Sequence, residues 1–406
     1  MRTVAVIGKN FGDEGKGLAV DYLARHADRP LVVRHNGGAQ SGHTVERREP
    51  AGKRFIFHEL SAGSVCGADT LWIDSYLPDL YKLREELRAF RGTFGFAPGI
   101  WAEEGVCVTL PDDVLINMAL ETSRGDRRHG SCGMGINECT LRADAGFGLS
   151  LRELCRMDPE GIFRRLRQIR KEYASLRLQT LAGELTGAAE PYLELLADEN
   201  VLRNAAEEMA ENLSCVQVLS EPALRELLRD VGTLIFESGQ GLLLDRDNAE
   251  FAPHVTASST GLKNPLAFLR RMGYGLDAAV YVSRTYVTRH GAGRLPLERP
   301  ARSLGAIGRD RTNEPNEWQG GIRYAPHESA AGFVAEVRRD LSRCGGEGVR
   351  AELFLTHLNE TEDCVALPDR RVPIRTFLAL PEITGTFRQA YLSDSPCSED
   401  VRTVTL

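Results

Sequence analysis

Gly8-Lys9-Asn10-Phe11-Gly12-Asp13-Glu14-Gly15-Lys16-Gly17 follows the apolar run Val4-Ala5-Val6-Ile7 and precedes an amphipathic stretch over residues 18–25. The apolar run reads as a buried strand and the stretch as a helix. Strand, glycine loop, helix is the setting in which backbone N–H groups and a helix N-terminus cradle phosphate. A second loop, Asn36-Gly37-Gly38-Ala39-Gln40-Ser41-Gly42-His43-Thr44, follows a second apolar run at 31–33. The first loop is not a strict P-loop. Gly12 stands too close to Gly15, Gly8 stands too far, and Gly17 replaces the hydroxyl that would bind magnesium. Asp13 is then the candidate metal ligand, because magnesium prefers carboxylate and phosphate oxygens. Plainer roles stand beside these: a helix N-cap for Asp13 and a hydrogen-bonded core position for His43.

Working outward, apolar runs at 4–7, 31–33, 70–73, 106–109, 234–236, 278–287 and 353–356 read as strands. Helical patterns occupy 78–90, 112–123, 150–174, 191–213, 222–229 and 328–343. This alternation predicts an α/β fold, P-loop-NTPase-like, with a largely parallel central sheet flanked by helices. Residues 150–230 read as a helical insertion almost free of strands, within a single domain spanning 1–406. Both glycine loops lie where such sheets bind ligands, beyond the carboxyl ends of the strands.

The 406 residues are 42% hydrophobic, enough for a sizeable core, and carry a formal net charge of -7. That balance argues against nucleic acid as the main partner, whose phosphates call for a basic surface. The nine cysteines are scattered with no CxxC pair, which predicts reduced thiols rather than a zinc site or disulfide framework. No apolar run is long enough to span a membrane. A cytoplasmic location is expected.

Gly12-Asp13-Glu14-Gly15-Lys16-Gly17, with Gly37-Gly38 and Gly42-His43-Thr44, resembles the adenylosuccinate synthetases. Three further segments continue the resemblance: Phe236-Glu237-Ser238-Gly239-Gln240-Gly241, Val255-Thr256-Ala257-Ser258-Ser259 and Thr288-Arg289-His290-Gly291-Ala292-Gly293. It implies a ligase that joins L-aspartate to C6 of a 6-oxopurine nucleoside monophosphate, driven by a nucleoside triphosphate with Mg²⁺. Asp13 would act as general base and His43 as acid, with Lys16 and Gln240 completing the catalytic set. Gly12, Glu14, Gly15, Lys16, Gly17, Gly42, Thr44, Ser131, Thr256 and Asn359 would bind nucleotide and phosphate. Asp13 and Gly42 would hold the metal, Arg289 and Arg323 the aspartate. Arg142 would reach a neighbouring subunit's site in a homodimer.

The chain departs from the family in three places. In Arg127-Arg128-His129-Gly130-Ser131-Cys132-Gly133-Met134-Gly135-Ile136, Cys132 and Met134 replace the family's Thr and Arg, leaving Arg127 or Arg128 to supply phosphate contacts. In Asn316-Glu317-Trp318-Gln319-Gly320-Gly321-Ile322-Arg323, Arg323 alone remains of the family's arginine-rich aspartate loop, and Glu317 would repel a dicarboxylate if it pointed inward. In Thr356-His357-Leu358-Asn359, the amide of Asn359 stands where the family reads guanine with a carboxylate. That change, with Ser395-Pro396-Cys397-Ser398, favours ATP or dATP over GTP, or a loss of base selectivity. These departures resemble a viral branch of the family that acts on dGMP with an adenine nucleotide. That branch replaces the loop aspartate with a smaller residue, whereas Asp13 is retained here, which favours a purine without the 2-amino group, so that both acceptors stay open. A P-loop kinase or GTPase and a catalytically inactive nucleotide-binding paralogue are the other readings. The missing hydroxyl at Gly17 opposes the first, and the retained Asp13, Lys16, His43 and Gln240 oppose the second.

Overall fold

The computed structural model describes residues 1–48, 52–308, 320–345 and 348–406. Ten strands form one sheet: β1 Arg2–Gly8, β2 Pro30–Arg34, β3 Asp69–Trp72, β4 Ile100–Glu103, β5 Gln217–Leu219, β6 Thr233–Gly241, β7 Ala278–Arg284, β8 Arg350–Thr356, β9 Gln389–Leu392 and β10 Arg402–Thr405. Their spatial order is β10-β9-β8-β7-β1-β6-β2-β3-β4-β5. Every pairing is parallel except β9 with β10. The expected α/β architecture is therefore present.

The central strands read as continuous apolar runs because both of their faces are covered. In β1, Val4 and Val6 join one apolar cluster while Ala5 and Ile7 join the cluster on the opposite face. In β7, Ala278, Val280 and Val282 alternate in the same way with Ala279 and Tyr281. The chain builds the sheet outward to β5 on one side of β1, then returns and builds toward β9 on the other. The order thus reverses beside β1, the kind of switch point where open α/β sheets bind ligands.

Several expected elements differ. The run at 106–109 is an extended loop that bridges Cys107 to Ser150, and the neighbouring strand is Ile100–Glu103. The run at 278–287 ends as a sheet strand at Arg284, and Val287–Arg289 pairs instead with Arg323–Ala325 in a separate hairpin. The helix expected over 150–174 is broken. Leu151–Leu154 is capped by Ser150, and a new helix starts at Pro159 with Asp158 as its cap. Residues 150–230 also contribute an edge strand, β5, so that stretch is not free of sheet. No helix among the described residues is long and apolar enough to cross a membrane.

Candidate active site

The carboxyl ends of β1, β2, β6, β7 and β8 feed loops around one cavity of about 820 Å³. That size lies near the top of the ~300–1,000 Å³ range of small-molecule sites. Gly12, Asp13, Gly15, Lys16, Gly17, Gly42, His43 and Thr44 line it, as do Ser131, Gln240, Thr256, Arg289 and Asn359.

The first loop holds Asp13 in the left-handed region, φ +60°, a conformation that costs a non-glycine residue about 1–2 kcal/mol. The residue preceding helix Lys16–Arg25 is Gly15, and no side chain caps it, so Asp13 is not an N-cap. Its carboxylate takes no hydrogen bond among the described residues. Burial pushes its pKa up, opposed chiefly by the Arg284 guanidinium and the Lys16 ammonium. Glu14 lies inside the loop rather than on the cavity. Its carboxylate accepts from Asn10 N–H at 2.9 Å and Gly12 N–H at 2.8 Å, and pairs with Lys16 Nζ at 2.8 Å. Burial alone would raise its pKa, but Lys16 and these donors hold it below the usual value. Gly17 lets the second loop approach: a Cβ there would stand 2.8 Å from the Thr44 carbonyl and 3.1 Å from His43 Cβ.

His43 is buried, and its Nδ1 lies 2.5 Å from Glu237 Oε1. Glu237 is fixed in turn by Ala62 N–H at 3.1 Å and by Arg34 Nη1 at 3.7 Å. With Nδ1–H donating to the carboxylate, the other ring nitrogen is left for another partner. That nitrogen, Nε2, is buried with no hydrogen-bond partner among the described residues. Burial lowers the His43 pKa, and Glu237 works against it. The plain core role thus describes only half of this imidazole. Glu237 stood in a quoted motif without a role. Its signal was a carboxylate at the end of a strand beside the one that leads to the histidine loop.

Asn36 orients Gln240: its amide N–H donates to Gln240 Oε1 at 3.0 Å while its Oδ1 accepts from Gly239 N–H at 2.9 Å. Gln40, also on the cavity, has both amide atoms buried and unpartnered. Its place four residues before Thr44, between the loop's glycines, was the signal. Thr256 faces the cavity with its N–H bonded to the Leu244 carbonyl at 2.8 Å.

The loop around Ser131 has an organiser that the sequence reading missed. The Glu121 carboxylate, from helix Pro111–Arg124, accepts from Gly130 N–H at 2.9 Å, Ser131 N–H at 3.2 Å and His129 N–H at 3.3 Å. Ser131 Oγ donates to Asn117 at 3.0 Å. Three backbone donors on one carboxylate hold the loop open toward the cavity, and hydrogen bonds to a charged partner are about twice as strong as neutral ones. Glu121→Gln keeps the shape and removes the charge. It is expected to raise the KM of whatever anion sits on this loop about tenfold, the equivalent of roughly 1.4 kcal/mol, with little change in kcat. An unchanged KM would show that no ligand uses the loop.

The arginines divide. Arg289 lies on the cavity over the Phe11 ring at 4.6 Å, donates to the Arg294 and His254 carbonyls, and leaves its Nε unpartnered. Burial lowers its pKa to about 10, with Arg323 adding to the effect. Arg323 does not line the cavity. It pairs with Glu298 at 2.8 Å and braces the Gly291 and Gly293 carbonyls, which shapes the loop beside Arg289. Residues 316–319, including Glu317, lie outside the described residues. Arg142 corrects the expectation of an arginine offered to a second subunit. It is buried, paired to Asp113 at 2.9 Å and bonded to the Val108 and Phe147 carbonyls. A guanidinium so fully occupied in the interior is not available to reach outward. Asn359 is exposed at the cavity rim beside His357 and Pro396.

The Asp13 carboxylate, without a hydrogen-bond partner among the described residues, and Gly42 both line the cavity. Among the described residues no group of three or more His, Cys, Asp or Glu forms a cation site. A single carboxylate and a carbonyl suit magnesium, which keeps waters and takes phosphate oxygens.

Comparison with known proteins agrees with this architecture. An adenylosuccinate synthetase from Synechococcus sp. (strain RCC307) is 33% identical over 304 residues, 73% of this chain and 64% of that protein. The match thus spans under two thirds of that relative's length. The fully ligated adenylosuccinate synthetase from Plasmodium falciparum superposes with a TM-score of 0.69 at 17% identity, over 99% of both chains. The cyanophage S-2L succinoaminodeoxyadenylate synthetase, PurZ, solved with dGMP and with dATP as energy donor, superposes with a TM-score of 0.63 at 16% identity. It covers 99% of this chain and 95% of its own. The family model for adenylosuccinate synthetase matches residues 5–320, and this chain belongs to that family.

Proposed function

We propose that this protein joins L-aspartate to C6 of an IMP-like 6-oxopurine nucleoside monophosphate, through a 6-phosphoryl intermediate and at the expense of a nucleoside triphosphate. The observation that carries the proposal is the pairing of two ungratified groups in one cavity: the Asp13 carboxylate on the first loop and His43 Nε2 on the second. The lactam oxygen of the purine is a poor leaving group and a weak nucleophile. Asp13 takes the N1 proton, and the electron pair moves to O6. O6 attacks the γ-phosphorus as the bond to the diphosphate breaks. His43, held by Glu237, presents Nε2 to the phosphoryl oxygens and acts as acid. Anionic phosphate beside it offsets the burial that lowers its pKa. The amine of aspartate then attacks C6 and inorganic phosphate departs. Gln240, oriented by Asn36, offers paired donor and acceptor to the purine edge. Lys16 exchanges part of its bond to Glu14 for phosphate oxygens. Asp13 and Gly42 would hold Mg²⁺, which would supply charge neutralisation for the transfer. Arg289, desolvated yet cationic, is the cavity's candidate for a carboxylate of aspartate.

A second reading has dGMP as acceptor with ATP or dATP, as in the cyanophage protein. Asn359 favours its adenine nucleotide, since an amide pairs with adenine's edge where a carboxylate demands guanine. Asp13 disfavours its acceptor, because a 2-amino group would crowd the carboxylate beside N1, and a misplacement of about 1 Å can cost around 100-fold in rate. The reading chosen here is therefore IMP or dIMP, with ATP or dATP serving at least as well as GTP. Asn359→Asp is expected to move preference toward GTP by about 1–3 kcal/mol, read as the ratio of kcat/KM for the two triphosphates. Strict GTP dependence in the wild type would refute the role given to Asn359. A homodimer remains part of the proposal on family grounds, to be read by sedimentation.

A further inference from the structure

The Asp13 peptide is held by one side chain that the reaction scheme leaves unused. Arg284, at the end of β7 and almost fully buried, donates from Nε to the Asp13 carbonyl at 2.6 Å. Its Nη1 donates to Tyr286 Oη at 3.0 Å, and that hydroxyl donates to Glu360. Glu360 sits in the short turn Leu358–Thr361 after β8, next to Asn359. The same segment makes a second tie, from Thr356 Oγ to the Glu14 carbonyl at 2.8 Å. A left-handed Asp13 persists only where its surroundings over-determine it. Here the determinant is a guanidinium whose planar fork is itself fixed at the far end. A lysine has one mobile ammonium and matches only part of this geometry.

We propose that Arg284, braced through Tyr286 by Glu360, is the positioning residue of Asp13, so that the segment flanking Asn359 sets the alignment of the general base. The proposal rests on the reaction proposed above. The triphosphate's base, docking beside Asn359, bears on Glu360, and the chain Glu360–Tyr286–Arg284 passes that constraint to the loop that holds the reacting carboxylate. Productive alignment of Asp13 then depends on an occupied base pocket.

Turnover and hydrogen exchange test it together, with IMP, aspartate, Mg²⁺ and ATP as probes. Arg284→Ala is expected to lower kcat about 100-fold, the scale of a small misplacement of reacting groups, with the KM of aspartate changed less than about threefold. Ethylguanidine added to Arg284→Ala should restore about tenfold of the loss, and Arg284→Lys should fall between Ala and wild type. Tyr286→Phe should lose less than Arg284→Ala, and the double variant no more than Arg284→Ala alone, because both act through one chain. Amide exchange over residues 9–17 should quicken in Arg284→Ala and, less, in Tyr286→Phe. Additive losses, failure of rescue, or unchanged exchange over 9–17 would each overturn the proposal. If the wild type makes no succinylated purine, the reaction reading fails, and the exchange result alone decides whether Arg284 positions the loop.

Discussion

Asp13→Asn is expected to lower kcat by on the order of 10²–10⁴, the usual loss on removing a general acid or base, while the protein stays folded. Asparagine is the informative substitution because Asp13 sits at φ +60°. Asn tolerates the left-handed region better than most residues, so the variant removes charge without adding backbone strain. Asp13→Ala should lose as much activity and, in addition, a little stability, since alanine carries the steric cost at that φ. The lost carboxylate leaves N1 protonated and O6 unreactive, and it also removes the carboxylate proposed to hold the metal. The loss should therefore fall on kcat and on the apparent affinity for Mg²⁺, with the KM of aspartate little changed. A variant that kept more than about a tenth of wild-type kcat would show that Asp13 is not the base, given the size expected of such a group.

His43→Ala is expected to abolish turnover to a similar degree, about 10²–10⁴, but its interpretation needs a companion. The ring is buried and bonded to Glu237, so alanine leaves both a void and an uncompensated carboxylate. His43→Asn separates the two effects. Its amide nitrogen takes the place of Nδ1 and keeps the bond to Glu237, while nothing replaces Nε2. If His43→Asn is as inactive as His43→Ala and melts near the wild-type temperature, the function resides in Nε2. If His43→Asn recovers most of the activity, the ring is only structural. Glu237→Gln should fall between His43→Asn and the wild type: the amide can still accept from Nδ1–H, but no longer favours the charged imidazole that an acid requires.

Much of this was legible in the sequence, for a physical reason. The signals that carried the fold were backbone requirements: apolar runs buried on both faces, and glycines where loops approach closely, as Gly17 does against Thr44. Such requirements are local and leave a mark in the chain. The residues brought to one cavity by the two glycine loops, Asp13, Lys16 and His43, were legible for that reason, as was Gln240 between the glycines that end β6. What escaped depends on partners far apart in sequence. Glu237 meets His43 across 194 positions, Arg284 meets Asp13 across 271, and nothing near either residue announces the contact. Glu121 resembled any acid on a helix until its carboxylate was found gathering the backbone of the Ser131 loop. Arg142 misled in the opposite direction: an arginine near a phosphate loop invites a ligand, but Asp113 lies 29 positions away and takes it. The run at 106–109 has strand composition yet no neighbouring strand edge to pair with beyond one bridge.

In the proposed reaction one cavity activates O6 of a 6-oxopurine for attack by the aspartate amine. The direct measurement is formation of an N6-succinylated purine, read by ultraviolet spectrum and mass. IMP, dIMP, GMP and dGMP are tested side by side with aspartate, Mg²⁺ and either ATP or GTP. Product is expected in the presence of all components, none when triphosphate is omitted, and higher kcat/KM for IMP or dIMP than for GMP or dGMP. Clear preference for dGMP would overturn the role given to Asp13 in excluding the 2-amino group, and no succinylated product from any pair of nucleotides would contradict the claim itself.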